Sequence, residues 1–230
     1  MKLSKRLRCV ADAVGRVKSI TDIGCDHAYL PLYFVTAGGA DFAVAADIRP
    51  GPLAAAREHV RAYGVSDRID IRQSDGLSNI RAGETEALTI CGMGGLLILK
   101  ILARDREKLD AFARIVIEPQ SDVAALAEGL SALGLAIMAE DLTTERGKFY
   151  PIFTLAPGDG RTNGDWDMRL ARTGHPVMRR MIERRLRQLE KIEAHLRTEG
   201  IDRPGALADE RARLRRLSAV MKRGDIVDGK

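Results

Sequence analysis

The sequence predicts an α/β fold: a parallel sheet with crossover helices, ended by an antiparallel hairpin and followed by a helical hairpin. Three observations carry this expectation. Over the first 156 residues, short apolar or β-branched runs alternate with longer stretches of helical period. The segment LAIMAEDLTTERGKFYPIFTLAPG sets two extended runs around a polar Glu145-Arg146-Gly147-Lys148 turn. From Val177 onward, apolar residues recur every three or four positions.

Taken in order, parallel strands are expected at Ser19–Ile23, Ala43–Ile48, Arg68–Arg72, Ala87–Cys91 and Arg114–Ile117. Several are almost continuously apolar, as strands covered on both faces must be. Pro52–Tyr63, Leu96–Leu102 and Val123–Leu133 carry helical spacing, with Gly64 and Gly134 as C-terminal stops. The run PGDGRTNGD disfavours helix and strand alike, and so places a linker and a domain boundary near Pro157. Residues 158–230 then form a separate tail. In it, Met178, Ile182, Leu186, Leu189, Ile192 and Leu196 make one apolar stripe, and Leu207, Leu214, Leu217 and Met221 a second. Between them the Gly200–Gly205 segment, with Pro204, turns the chain back on itself as a short coiled coil.

With 230 residues, 45% apolar and 30% charged, the chain suits one or two folded domains and excludes a disordered or fibrous class. No apolar run approaches the ~20 residues of a spanning helix, and MKLSKRLRCVADAV lacks the unbroken apolar core of a signal peptide. A soluble, cytoplasmic protein is expected. Cys9, Cys25 and Cys91 lie far apart with no Cys-x-x-Cys pair, which predicts reduced thiols and no metal site. The formal charge of +5 is uneven: residues 1–160 carry net −2, and residues 161–230 net +7. Arg179, Arg180, Arg184, Arg185, Arg187, Arg211, Arg213, Arg215 and Arg216 crowd the two tail helices. A solvated helical surface and a nucleic-acid interface both produce this pattern.

The candidate chemistry lies at the ends of the expected strands. TDIGCDHAYLP follows the first, with Gly24 where backbone turns and lets a ligand approach. A dinucleotide site calls for Gly-x-Gly-x-x-Gly here; this loop has one glycine and two carboxylates, Asp22 and Asp26, which argues against a dehydrogenase. An acidic loop suits a cation. S-adenosylmethionine carries a sulfonium, an ammonium and a ribose diol, each of which a carboxylate answers better than it answers phosphate. Asp47 ends the second strand about twenty residues on, where an acidic side chain accepts ribose hydroxyls in doubly wound folds. Asp75 in Ser74-Asp75-Gly76 follows the third strand as the adenine contact, and CGMGG (Cys91–Gly95) ends the fourth as a narrow cleft where a flat base enters beside Met93. One such feature is commonly a cap or turn; four after successive strands converge on one crevice.

The runs LSKRL at Leu3, DIGCDHAYLP, ADIRPGPLAAA, Gln73-Ser74-Asp75-Gly76, CGMGG and IEPQ resemble the bacterial tRNA (adenine-22, N1) methyltransferase family over Leu3 to about Leu155. The resemblance implies a Rossmann-like class I S-adenosylmethionine-dependent fold with seven strands, the last antiparallel, a helical coiled-coil tail, and methylation of a D-arm adenine in tRNA. By position it assigns Asp22, Gly24, Asp26 and His27 to the donor and active-site loop, Asp47 to the ribose, and Asp75 with Gly76 to the adenine. Ile48 and Cys91 join the donor-binding set, and Gly92, Met93 and Gly94 face the substrate. Two positions depart from the pattern: Cys25 stands where serine is expected, and Ile117-Glu118-Pro119-Gln120 where a Gln-Pro-Asn-like ending is expected.

Adenine N1 already presents a lone pair at neutral pH, so alignment is the main demand and no strong base is needed. Asp26 is the first candidate to stabilise the positive charge that grows on the ring, with His27 and Met93 beside it in the catalytic set. Tyr29 is expected to pack below the loop. The tail arginines, with a second patch at Lys2, Lys5, Arg6 and Arg8, are expected to attract tRNA to a monomer. A methyltransferase of another RNA or a small molecule, and a non-catalytic RNA-binding module, remain the alternatives.

Overall fold

The computed structural model describes residues 1–37, 39–199 and 204–227. It divides into two compact units, Met1–Gly164 and Asp165–Lys230. In the first, β1 (Ser19–Ile23), β2 (Phe42–Asp47), β3 (Ile69–Gln73), β4 (Ala87–Gly94), β5 (Arg114–Ser121), β6 (Leu135–Glu145) and β7 (Lys148–Pro157) form one sheet of order β3-β2-β1-β4-β5-β7-β6. The strands from β1 to β5 pair in parallel, and β7 is antiparallel to both its neighbours. The hairpin therefore does not simply extend the sheet: its second strand inserts between β5 and β6, leaving β6 at the edge.

The apolar strands are apolar because helices cover them. Ile20, Ala43, Ala45, Leu88, Ile90, Val116 and Ile117 are buried beneath helices that include α3 (Pro50–Ala62), α4 (Gly95–Arg104) and α6 (Val123–Ala132). Several helices lie outside the sequence expectation, α1 (Lys5–Val14) and α2 (Tyr29–Thr36) among them. In α1 the amide of Leu7 is capped by the Ser4 hydroxyl at 3.4 Å. In α2 burial of Leu30, Leu32, Phe34 and Val35 leaves little polar face to betray a helical period. Pro31 is accommodated because the first-turn amides of a helix have no intrahelical acceptor. A short α5 (Arg106–Leu109) completes the unit's helices.

The boundary also moves, from Pro157 to Gly164. Asn163 is the reason. Its Oδ1 accepts the Ile137 amide at 2.8 Å, and its Nδ2 donates to Leu135 O at 2.8 Å, beside the irregularity between Ile137 and Ala139 where β6 loses register with β7. Residues 158–164 are thus fastened to the sheet, although their composition reads as linker.

The second unit holds α7 (Trp166–Arg172), α8 (Pro176–Thr198) and α9 (Pro204–Val227). Val177, Met178, Ile182 and Leu189 of α8 and Leu214, Leu217 and Met221 of α9 are buried. Leu186, Leu196 and Leu207 are half-buried and Ile192 is exposed, so the stripe is covered only in part. The predicted turn at Gly200–Arg203 lies outside the described residues. Several of the tail arginines bind carboxylates within the unit. Arg213 forks onto Asp167 at 2.9 and 3.0 Å, Arg185 forks onto Glu210 at 2.7 and 2.9 Å, and Arg211 reaches Glu193 at 2.6 Å. Arg180, Arg187, Arg215 and Arg216 are exposed. Among the described residues no helix is long and apolar enough to cross a membrane.

Candidate active site

The chain runs outward from β1 through β2 to β3, then returns to β4 on the other side of β1. This reversal opens a crevice at the carboxyl ends of β1 and β4. A cavity of about 930 Å³ lies there. Asp22, Gly24, Cys25, Asp26, Asp47, Ile48, Asp75, Gly76, Cys91, Gly92 and Met93 all line it. His27 does not. Its ring packs with Tyr29 and His59, with centroids 5.4 to 5.6 Å apart, and its Nε2 stands 3.7 Å from Asp26 Oδ1. Tyr29 is not below the loop as expected: it is 40% exposed and borders the cavity.

The loop between β1 and α2 is bent by three left-handed residues, Gly24 (φ 72°), Asp26 (φ 50°) and Ala28 (φ 58°). Only the first is glycine, and left-handed backbone at residues bearing a Cβ tends to persist where function requires the shape. A Cβ on Gly24 would collide with Met93 Cε, so the thioether lies directly on the loop. The Asp26 carboxylate is left largely exposed at the cavity.

Asp22 is 4% exposed and accepts from Thr89 Oγ1 at 2.7 Å. Burial raises its pKa to about 7; the Thr89 hydrogen bond opposes the rise, Asp47 adds to it and Arg6 opposes it. Asp47 is also buried; it accepts the Arg49 amide at 2.9 Å, and the Arg49 Nε stands 3.6 Å away. Asp75 pairs with Arg104 through Nη1 at 2.7 Å, and Arg104 Nη2 also donates to Asp75 O. Arg104 and Ile101 crowd the place a Cβ of Gly76 would take. Burial pushes the thiols of Cys25 and Cys91 up, so both stay protonated at neutral pH.

On the other side of β4 the ladder slips between Cys91 and Gly94, which frees the Gly92 amide (φ 77°) to donate to Glu118 Oε2 at 3.0 Å. The same oxygen takes Arg6 Nη1 at 2.5 Å. Glu118 is fully buried, its Oε1 has no hydrogen-bond partner among the described residues, and burial raises its pKa against the pull of Arg6 and the Gly92 amide. It lies below the floor and does not line the cavity; Gln120, two residues on, does. Thus the IEPQ departure divides into a buried acid answered by Arg6 and an exposed carboxamide. Thr89 and Arg104 had no motif to reveal them. Thr89 meets Asp22 through parallel register, and Arg104 meets Asp75 across 29 residues.

Acids at three strand ends, a backbone loop open to close approach and the apolar side chains of Ile48 and Ile101 suit a cationic sulfonium nucleoside. Among the described residues no cluster of His, Cys, Asp or Glu is arranged to hold a metal ion.

Comparison with known proteins agrees with this chemistry. The family described as "Methyltransferase domain" matches residues 3–153. The tRNA (adenine(22)-N(1))-methyltransferase of Bacillus subtilis strain 168 is 39% identical over 159 residues, 69% of this chain and 67% of that protein. The crystal structure of the B. subtilis M1A22 tRNA methyltransferase TrmK superposes with a TM-score of 0.75 at 30% identity, covering 97% of this chain and 98% of that one. Streptococcus pneumoniae Sp1610 in complex with S-adenosyl-L-methionine gives 0.75 at 30% identity, covering 97% and 99%. A seven-stranded sheet with β7 reversed, acids at the tips of its leading strands and kinship across the whole domain lead to one conclusion: the chain belongs to the class I S-adenosylmethionine-dependent methyltransferases, in the tRNA (adenine(22)-N1)-methyltransferase family.

Proposed function

We propose that this chain, acting as a cytoplasmic monomer, transfers a methyl group from S-adenosylmethionine to N1 of a D-arm adenine in tRNA. The observation that carries the reading is the convergence of Asp22, Asp26, Asp47 and Asp75 on one cavity that Gly92, Met93 and Gln120 also line. The donor supplies an electrophilic methyl on a positively charged sulfur.

Asp47 accepts the ribose hydroxyls, with Ile48 flanking the adenine. The Asp75 carboxylate, held by Arg104, keeps acceptor capacity for the exocyclic amine of the donor, with Gly76 at its side. Gly24 lets the donor lie against backbone beside Met93 and Cys91. Asp22, beneath the loop, complements the positive charge above it. Adenine N1 attacks with its own lone pair, so these residues need only align it. Asp26 faces the ring as it becomes cationic and lowers the energy of the transition state more than that of the ground state. His27 supports this loop from behind through Tyr29 and His59 rather than touching the reactants. The basic second unit, with 17 Lys and Arg against 11 Asp and Glu over residues 165–230, supplies salt-dependent attraction to RNA.

The test is incubation of the full chain with labelled donor and unmodified tRNA, followed by nucleoside mass spectrometry. 1-Methyladenosine at one D-arm position is expected. Label in another nucleoside, or none, overturns the reading. Donor calorimetry distinguishes a methyltransferase of another substrate from a non-catalytic RNA-binding module.

A further inference from the structure

Charge is distributed unevenly around the cavity, although Arg49 stands beside Asp47 on one side and Glu145 beside Arg6 on the other. Asp47 ends β2 and Asp75 follows β3, both on one side of β1. On the other side, the wall formed by the N-terminal segment and the β6–β7 turn brings Lys2, Arg6 and Arg146 to the same cavity. The acidic side answers the sulfonium, ammonium and ribose of the donor, groups that the cationic side does not complement.

These three cations differ. Arg6 is engaged within the protein: it binds Glu118 at 2.5 Å, stands 3.8 Å from Glu145 and lies 5.5 Å from the Tyr150 ring centroid. Lys2 and Arg146 are exposed and have no carboxylate partner among the described residues. Arg146 is also held in the left-handed region at φ 48°, followed by Gly147 at φ 74°. A two-residue hairpin turn with both residues left-handed favours Asn or Gly at its first position. An arginine there gains nothing from the turn itself. The turn projects its unpaired guanidinium over the cavity while Arg6, Glu118 and Glu145 brace the wall behind it.

We propose that Lys2 and Arg146 form a subsite for an RNA phosphodiester adjoining the acceptor nucleotide. The inference rests on the methyl-transfer reading above. N1 lies on the edge that adenine uses for pairing, so the acceptor must leave its helix to reach the donor. Its flanking phosphates then pass the cavity mouth, where unpaired cations fix the backbone register without reading sequence.

Arg146→Gly tests this without threatening the turn, because glycine takes the left-handed conformation freely. It is combined with Lys2→Ala, and Arg146→Lys serves as the conservative control. The expected result is unchanged donor affinity by calorimetry, a KM for tRNA raised about tenfold in the double variant, and largely restored KM in Arg146→Lys. The plot of log affinity against log salt should flatten by about one unit for each charge removed. A tRNA with a neutral methylphosphonate beside the acceptor should bind the wild type more weakly and lose nothing further with the double variant. An unchanged KM and salt slope, or equal losses for that RNA with both proteins, overturns the subsite. Failure of the wild-type chain to make 1-methyladenosine instead overturns the underlying function.

Discussion

Asp22 and Thr89 are register partners across the β1–β4 seam, and the Thr89 hydroxyl donates to the Asp22 carboxylate at 2.7 Å. This bond accompanies a buried acid whose pKa burial raises from 3.8 to about 7. Between those values the folded protein holds a proton that the unfolded chain has released. The stability from this group is therefore complete below about pH 3.8 and is lost as pH rises through about 7. The melting temperature of wild type should fall relative to that of Asp22→Asn between pH 5 and pH 8. Parallel curves would remove Asp22 as the source. A cationic donor favours the ionised form, so its binding near pH 6 should release a proton, seen as a buffer-dependent calorimetric enthalpy.

Gly24 adopts a left-handed φ of 72°, and Met93 Cε occupies the place a Cβ would take. Gly24→Ala should weaken donor binding and lower stability by about 1–2 kcal/mol from the left-handed backbone alone. Donor titration and urea unfolding measure the two effects. Wild-type donor affinity in this variant would contradict the placement of the donor on the loop.

Asp26 has a largely exposed carboxylate, so its loss should leave the fold intact. Asp26→Ala is expected to retain donor affinity and to lose on the order of 10²-fold in kcat, the scale of one electrostatic contact to a transition state. Single-turnover methylation with saturating donor gives the value; full activity would take Asp26 out of the mechanism.

Asn163 predicts where the chain can be cut. Asn163→Ala leaves the Ile137 amide and the Leu135 carbonyl without their side-chain partners, at a cost of roughly 1–3 kcal/mol. Residues 1–164 should keep donor binding and lose tRNA methylation. Residues 1–157 should unfold at lower urea than 1–164. Equal midpoints would refute the bracing role of Asn163.

Among the tail arginines, those facing solvent should differ from those bridging helices. Arg215→Glu with Arg216→Glu should weaken tRNA affinity and flatten its salt dependence, with little change in melting. Arg185→Ala breaks the fork to Glu210 and should loosen the second unit, with an effect under about 1 kcal/mol because both side chains are part-exposed. Filter binding across a salt series, beside circular dichroism melts, separates the two classes.

Local patterns along the chain were enough to read the alternating architecture, the reversed strand at its end, and the strand-end residues that line the cavity. Strands covered on both faces need apolar runs, and ligand loops at strand ends need glycine and acid side chains, so local composition reports them. Asp47 and Asp75 were legible for that reason. The buried α2 was not, since a helix without a polar face has no amphipathic period. Nor was the fastening of Asn163, whose neighbours Gly160 and Gly164 make the segment look like linker. Folding in three dimensions was needed to show that His27 does not line the cavity, that Tyr29 borders it, and that Glu118 lies beneath the floor under Arg6, 112 residues away. Those outcomes depend on strand order and register, which bring distant residues within hydrogen-bonding reach. No pattern confined to neighbouring positions encodes them.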